Sequence, residues 1–188
     1  TIAYHGRIAH HDSAGNSGII GEGDVQWMTA GAGLLHKEYH ETEYSKTGGP
    51  FQMVQLWVNL PAKYKKTAPK YQELSNDKVG RHLLGDGKSY IEVIAGTYNG
   101  TKGPAFTFTP MEVYNARLVS GGEAVLDLPA AYNTGMLVIQ GNVSINGQSV
   151  AADHFVLFKN EGERIGLQAS EDSIVLVLSG EPIDEPIA

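Results

Sequence analysis

Apolar positions along this chain fall in short runs rather than in long helical stripes. Runs rich in Val, Ile, Leu, Tyr and Thr recur about every 8–12 residues and are set apart by turns containing Gly and Pro, the pattern of a β-sandwich or barrel. The clearest is Asn142-Val143-Ser144-Ile145-Asn146. Successive side chains of a strand point to opposite faces, so Val143 and Ile145 are expected to share a buried face while their polar neighbours meet water. Similar runs occupy 113–118, 154–158 and 174–178; the last is apolar throughout, as expected of a strand covered on both sides. The predicted class is all-β.

An internal repeat organises these strands. In the first half, Gly6-Arg7-Ile8-Ala9-His10 leads through a turn to Gly21-Glu22-Gly23-Asp24 and then Val25-Gln26-Trp27-Met28. In the second, Gly141-Asn142-Val143-Ser144-Ile145 leads through Asn146-Gly147 to Ala152-Asp153 and then the 154–158 run. The two copies lie roughly 130 positions apart, which predicts two similar barrels. The expected division is a first barrel over 1–60, a connection over 61–87 and a second barrel over 88–188. The connection carries Lys63, Lys65, Lys66, Pro69 and Gly85-Asp86-Gly87 without strong periodicity, and one short helix is expected near Tyr71-Gln72-Glu73-Leu74.

Charge and composition narrow the chemistry. The chain of 188 residues has a formal net charge of -7, and its few basic residues do not cluster, which disfavours a nucleic-acid partner. It has no cysteine, so disulfides, thiolate metal sites and Cys nucleophiles are all excluded. No apolar run approaches the ~20 residues that span a bilayer, and no signal segment opens the chain, so the expected location is cytoplasmic. No nucleophile elbow, phosphate-cradling loop or dinucleotide fingerprint is present; Gly31-Ala32-Gly33 lacks the third glycine and reads as a turn.

His36-Lys37-Glu38 is the segment with the most chemical content. On a strand, residues i and i+2 project from one face, so His36 and Glu38 are placed to enter one barrel interior together. A neutral imidazole with a carboxylate suits Fe(II), Ni(II), Cu(II), Mn(II) or Zn(II), although two ligands alone hold none of these tightly. Spacing alone favours the plainer reading, a surface strand end. The small residues Thr29-Ala30-Gly31-Ala32-Gly33 just before it would let a tight turn feed the strand. His10, His11, His40, His82 and His154 read as satisfied or solvated histidines, and residues 164–168, where a second copy of the triplet would fall, hold no ligand.

Asp12-Ser13-Ala14-Gly15-Asn16, the run Gly21-Glu22-Gly23-Asp24-Val25-Gln26-Trp27-Met28-Thr29-Ala30-Gly31 and then His36-Lys37-Glu38 closely resemble the hallmark segments of pirins. Gln55-Leu56-Trp57-Val58-Asn59-Leu60-Pro61, Tyr71-Gln72 and the 180–187 segment are similar to further pirin segments, so the resemblance extends over essentially the whole chain. It implies a bicupin, two RmlC-like jelly-roll barrels in tandem, with one metal, usually iron, in the first barrel on three histidines and a glutamate. His36 and Glu38 stand at the positions of the third histidine and the glutamate. The first two histidines belong to an H-x-H motif ahead of the strand that begins here with Thr1-Ile2-Ala3-Tyr4, and that motif is absent. The residues around Tyr4-His5-Gly6 are about two fewer than in pirins, pirins continue beyond Ala188, and Ala32 stands where they carry Arg. These departures imply missing segments at both ends and a site that can be metal-free.

The resemblance implies a dioxygenase that opens flavonols such as quercetin with O2, with Glu38 both a metal ligand and the general base for the flavonol hydroxyl. Trp27, Met28 and Leu35 are candidates for an apolar pocket, though core positions are the favoured explanation. Two alternatives stand beside the enzyme: an iron-binding redox sensor or regulatory partner protein without catalysis, and a metal-free barrel in which His36 and Glu38 contact only each other.

Overall fold

A computed structural model describes residues 1–186. Ile187, the last residue of the pirin-like 180–187 segment, and Ala188 lie outside the described residues. The chain divides into two compact units, Thr1–Lys78 and Val79–Pro186.

The first unit is built from β1 (Ile2–His5), β2 (Ile8–Asp12), β3 (Ser17–Ile20), β4 (Val25–Thr29), β5 (His36–His40), a helix α1 (Thr42–Thr47), β6 (Gln52–Val54) and β7 (Lys70–Leu74). One sheet runs β6-β1-β4-β7 and the other β3-β2-β5, all antiparallel. Ala3, Ile8 and Ile20, from both sheets, form a small shared apolar cluster. The 70–74 segment, expected as a helix, is therefore a strand. Its five residues pair in register with β4, and that ladder overrides weak local periodicity.

The second unit contains β8 (Gly80–Leu83), β9 (Tyr90–Ala95), β10 (Thr97–Tyr98), β11 (Thr101–Lys102), β12 (Met111–Leu118), β13 (Glu123–Asp127), β14 (Asn133–Gln140), β15 (Asn142–Ile145), β16 (Gln148–Ala151), β17 (Phe155–Leu157), β18 (Arg164–Ala169) and β19 (Ser173–Gly180). A six-stranded sheet, β17-β14-β19-β12-β9-β8, and a four-stranded sheet, β13-β18-β15-β16, contribute to one apolar core that includes Tyr114, Leu126, Met136, Val143 and Val177. Both units are all-β and cupin-like, but their strands form separate open sheets rather than a closed hydrogen-bonded barrel.

The repeat read from the glycines is a repeat of topology. β1 pairs with β4 and β6 while β2 pairs with β3 and β5; β14 pairs with β17 and β19 while β15 pairs with β16 and β18. Gly6 and Gly141, each between the first two strands of its copy, both have positive φ, a conformation glycine adopts without penalty. Val143 and Ile145 are buried as their alternation requires. Residues 154–158 alternate as expected: Val156 and Phe158 pack against the core, while Phe155 and Leu157 are exposed on β17, an edge strand.

Several carboxylates are held ionised by the turns they close. Glu41 accepts the Glu43 and Tyr44 amides ahead of α1, and Asp86 accepts the Ser89 hydroxyl and the Lys88 and Ser89 amides. These bonds set both groups below their ordinary values. A carboxylate depressed in the folded state contributes stability above its unfolded value and loses it as pH falls through the folded one. Unfolding free energy is therefore expected to decline below about pH 5, and the decline should be shallower in Glu41→Gln. Urea titrations at several pH values check this, and parallel slopes for the two proteins would contradict it.

Candidate metal centre in the first unit

Beyond Ile8 and Ile20, the inward face of the three-stranded sheet is polar. In the β2–β5 ladder His10 lies opposite Glu38 and Asp12 opposite His36, so the register places two histidines and two carboxylates side by side. His36 Nε2 sits 3.3 Å from Glu38 Oε1, with both side chains largely buried. Glu38 is held by two donors: the Thr1 hydroxyl at 2.6 Å on Oε1 and Gln55 Nε2 at 2.7 Å on Oε2. The other ring nitrogen of His36, Nδ1, lies 3.2 Å from the Tyr71 hydroxyl, which comes from β7 in the facing sheet. His36 and Glu38 thus share one interior, and the surface strand end does not describe them.

Three further residues belong to this interior. His10 is only 2% exposed, and neither ring nitrogen has a hydrogen-bond partner. Its ring stacks on Tyr71 with centroids 5.6 Å apart and lies 6.3 Å from the His36 ring. Burial first, then the neighbouring His36, pushes the His10 imidazole down, opposed by Glu73, Glu38 and Asp12. The ring occupies space that only glycine leaves: a Cβ at Gly18, its partner across the β2–β3 ladder, would lie 2.6 Å from His10 Nε2. Burial pushes the Tyr71 hydroxyl up to about 12, helped by the negative charge of the Asp12 carboxylate and by Glu38. Asp12 is lowered despite its burial, because the Asn16 side chain and the Asn16 and Ala14 amides donate to it.

His10 and Asp12 escaped the reading of the sequence, although the signal was the same i, i+2 spacing that marked His36 and Glu38. Tyr71 carried no such signal. The turn before β5 forms as expected: Gly31 and Gly33 have positive φ, and a Cβ at Gly31 would stand 2.1 Å from the Thr67 carbonyl oxygen. Leu35 is exposed and Trp27 and Met28 are half-buried, so none is a fully buried core position. In the second unit the register positions of His10, His36 and Glu38 are taken by Ile145, Ile165 and Leu167, all buried. That unit is filled with hydrocarbon where the first is polar.

A divalent metal fits this donor set in part. His36 Nε2 and Glu38 Oε1 converge as an imidazole–carboxylate pair, and the unpartnered nitrogens of His10 lie nearby. Among the described residues no group of three or more His, Cys, Asp or Glu converges as a complete shell. No helix among them is long and apolar enough to cross a membrane.

Two cupin-like units, one with a polar His/Glu interior and one with an apolar interior, define a bicupin. The family models agree: Pirin matches residues 1–58 and the Pirin C-terminal cupin domain matches 113–188. The chain belongs to the pirin family. Over 187 residues it is 44% identical to a Pseudomonas aeruginosa protein provisionally named a quercetin 2,3-dioxygenase, covering 100% of this chain and 65% of that one. The crystal structure of quercetin 2,3-dioxygenase from Acinetobacter baumannii superposes with a TM-score of 0.94 at 43% identity, again over 100% of this chain and 65% of the other. The Escherichia coli pirin YhhW, solved in complex with nickel(II), shares the fold at 23% identity and a TM-score of 0.75, over 96% of this chain and 71% of that one. The chain therefore spans about two thirds of the length of these relatives.

Proposed function

We propose that this chain carries the metal-site barrel of a pirin-type dioxygenase that opens flavonols such as quercetin with O2, with His36 and Glu38 as metal ligands. The observation that carries this is the convergence of His36 Nε2 and Glu38 Oε1 at 3.3 Å in the polar interior of the first unit, where the second unit has Ile165 and Leu167. The proposed ion is iron(II), the usual metal of the family, and the same donors admit nickel, copper, manganese or zinc; the family's H-x-H imidazoles would complete the shell. When bound, the ion supplies Lewis-acid polarisation of the flavonol oxygens and the redox chemistry of O2.

The chain's own residues supply the proton handling and the orientation. Glu38 is the general base for the flavonol hydroxyl: it is a carboxylate fixed by Thr1 and Gln55 at the point where His36 faces it. A second reading, an iron-binding regulatory partner protein, draws support from the exposed apolar side chains Leu35, Trp57 and Val58.

O2 consumption with quercetin by the iron-loaded protein, measured beside His36→Ala, tests the enzyme reading. Turnover in the parent and its loss in the variant are expected. Stoichiometric iron without turnover would leave the regulatory reading in its place.

A further inference from the structure

β17 ends the six-stranded sheet of the second unit, and among the described residues no strand pairs with its outer edge. The ladder to β14 shows which backbone groups remain there. The Val138 amide donates to the His154 carbonyl at 3.1 Å and the Phe158 amide to the Thr134 carbonyl at 3.0 Å, with Val156 opposite Met136 between them. A strand residue turns its N–H and C=O to the same side, so 154, 156 and 158 face β14 while Phe155 and Leu157 turn theirs outward. Free groups of this kind are a template for a further strand, which charge, proline or a bulge ordinarily blunts. The strand itself has none of these. Val156 and Phe158 pack against the core, leaving Phe155 at 56% and Leu157 at 77% exposure on the opposite face.

The segment is also complementary to its own reverse. Asp153-His154-Phe155-Val156-Leu157-Phe158-Lys159 reads acid, ring, apolar, apolar, apolar, ring, base. Antiparallel pairing with a second copy, centred on Val156, sets Phe155 opposite Leu157, His154 opposite Phe158 and Asp153 opposite Lys159. The residues that would bond across this axis are the ones whose backbone points outward, and each Phe155–Leu157 pair would exchange both of its N–H···O=C bonds. Neighbouring registers lose this match. Centring on Phe155 puts Leu157 opposite Asp153; centring on Leu157 puts Phe155 opposite Lys159 and Asp153 opposite Glu161. Lys159 now lies 3.7 Å from Glu161, a pair exposed on both sides and therefore exchanged at little cost.

We propose that β17 is a self-recognition edge, at which two copies of this chain pair antiparallel about Val156 and join their six-stranded sheets. A two-fold contact uses the same patch from each copy and closes, so it covers the edge without growing a filament. Strands this short form a small contact, and the dimer is expected to be weak and concentration-dependent.

Sedimentation velocity of the full chain, from micromolar to about millimolar concentration, should show a monomer–dimer equilibrium. Leu157→Pro removes an outward N–H from each copy and leaves the β14 ladder its donors; it should raise the dimer dissociation constant at least about tenfold. Lys159→Glu sets like charges opposite Asp153 and should raise it about fivefold, less in high salt. Urea midpoints measured on dilute, monomeric protein should stay close to the parent's for both variants; if proline shifts the midpoint, the Lys159→Glu comparison decides. A monomer at every concentration would overturn the proposal. So would a dimer that Lys159→Glu leaves within twofold of the parent, which would place the contact on another surface, or open-ended association, which would mean that the edge meets a different patch.

Discussion

Glu38→Gln is expected to lower nickel(II) or iron(II) affinity by at least about a hundredfold, more than the 10–100-fold typical of residues that act behind a ligand. The carboxylate is the anionic member of the pair, and its two oxygens are already oriented by Thr1 and Gln55. The amide keeps the volume but removes the charge. It also presents an NH2 group either to Gln55 Nε2, from which an oxygen now accepts, or to His36 Nε2. In protein loaded with excess metal, flavonol turnover should fall a further 10²–10⁴-fold, about the size of a general-base contribution. Calorimetry and O2 uptake separate the two effects. Near-parent values in both would exclude Glu38 from the site.

Leu126→Ala is expected to cost about 3 kcal/mol of unfolding free energy. Leu126 is fully buried in the apolar core of the second unit, among side chains from both of its sheets. Truncation removes hydrocarbon from a close-packed environment and leaves a cavity that the surrounding ladders cannot collapse to fill. Leu157→Ala on the exposed edge strand β17 should change stability by no more than about 0.5 kcal/mol. Urea unfolding followed by circular dichroism compares the two. Equal effects would show that the second unit does not behave as one packed core.

These two predictions fall on the two uses the molecule makes of one topology. In the second unit the positions of the inward-facing histidines and glutamate are Ile145, Ile165 and Leu167, and burial of apolar area holds that unit together. The first unit has a much smaller apolar cluster and spends its interior on His10, Asp12, His36, Glu38 and Tyr71. Buried polar groups of this kind are favourable only when partnered. The unpartnered nitrogens of His10 mark where that satisfaction is incomplete.

Alternation within single runs, the glycine turn signature found in each half and the projection of His36 and Glu38 to one side were legible in the sequence alone, because each depends on neighbours within a few residues. Alternation at Val143 and Ile145 is a local property of an extended chain, and an H-x-E triplet on a strand must project both side chains to one side. The glycines at 6 and 141 fix turns through their own backbone freedom. What the tertiary structure decided was which distant residues meet. Tyr71 reaches His36 only because β7 pairs with β4 instead of forming a helix, and His10 enters the site only because Gly18 opposite it has no side chain. Phe155 and Leu157 are as apolar as Val156 and Phe158, and the sheet order leaves them exposed on an edge strand. Register and sheet order are set by the sum of many long-range contacts, and no short window of sequence contains that sum.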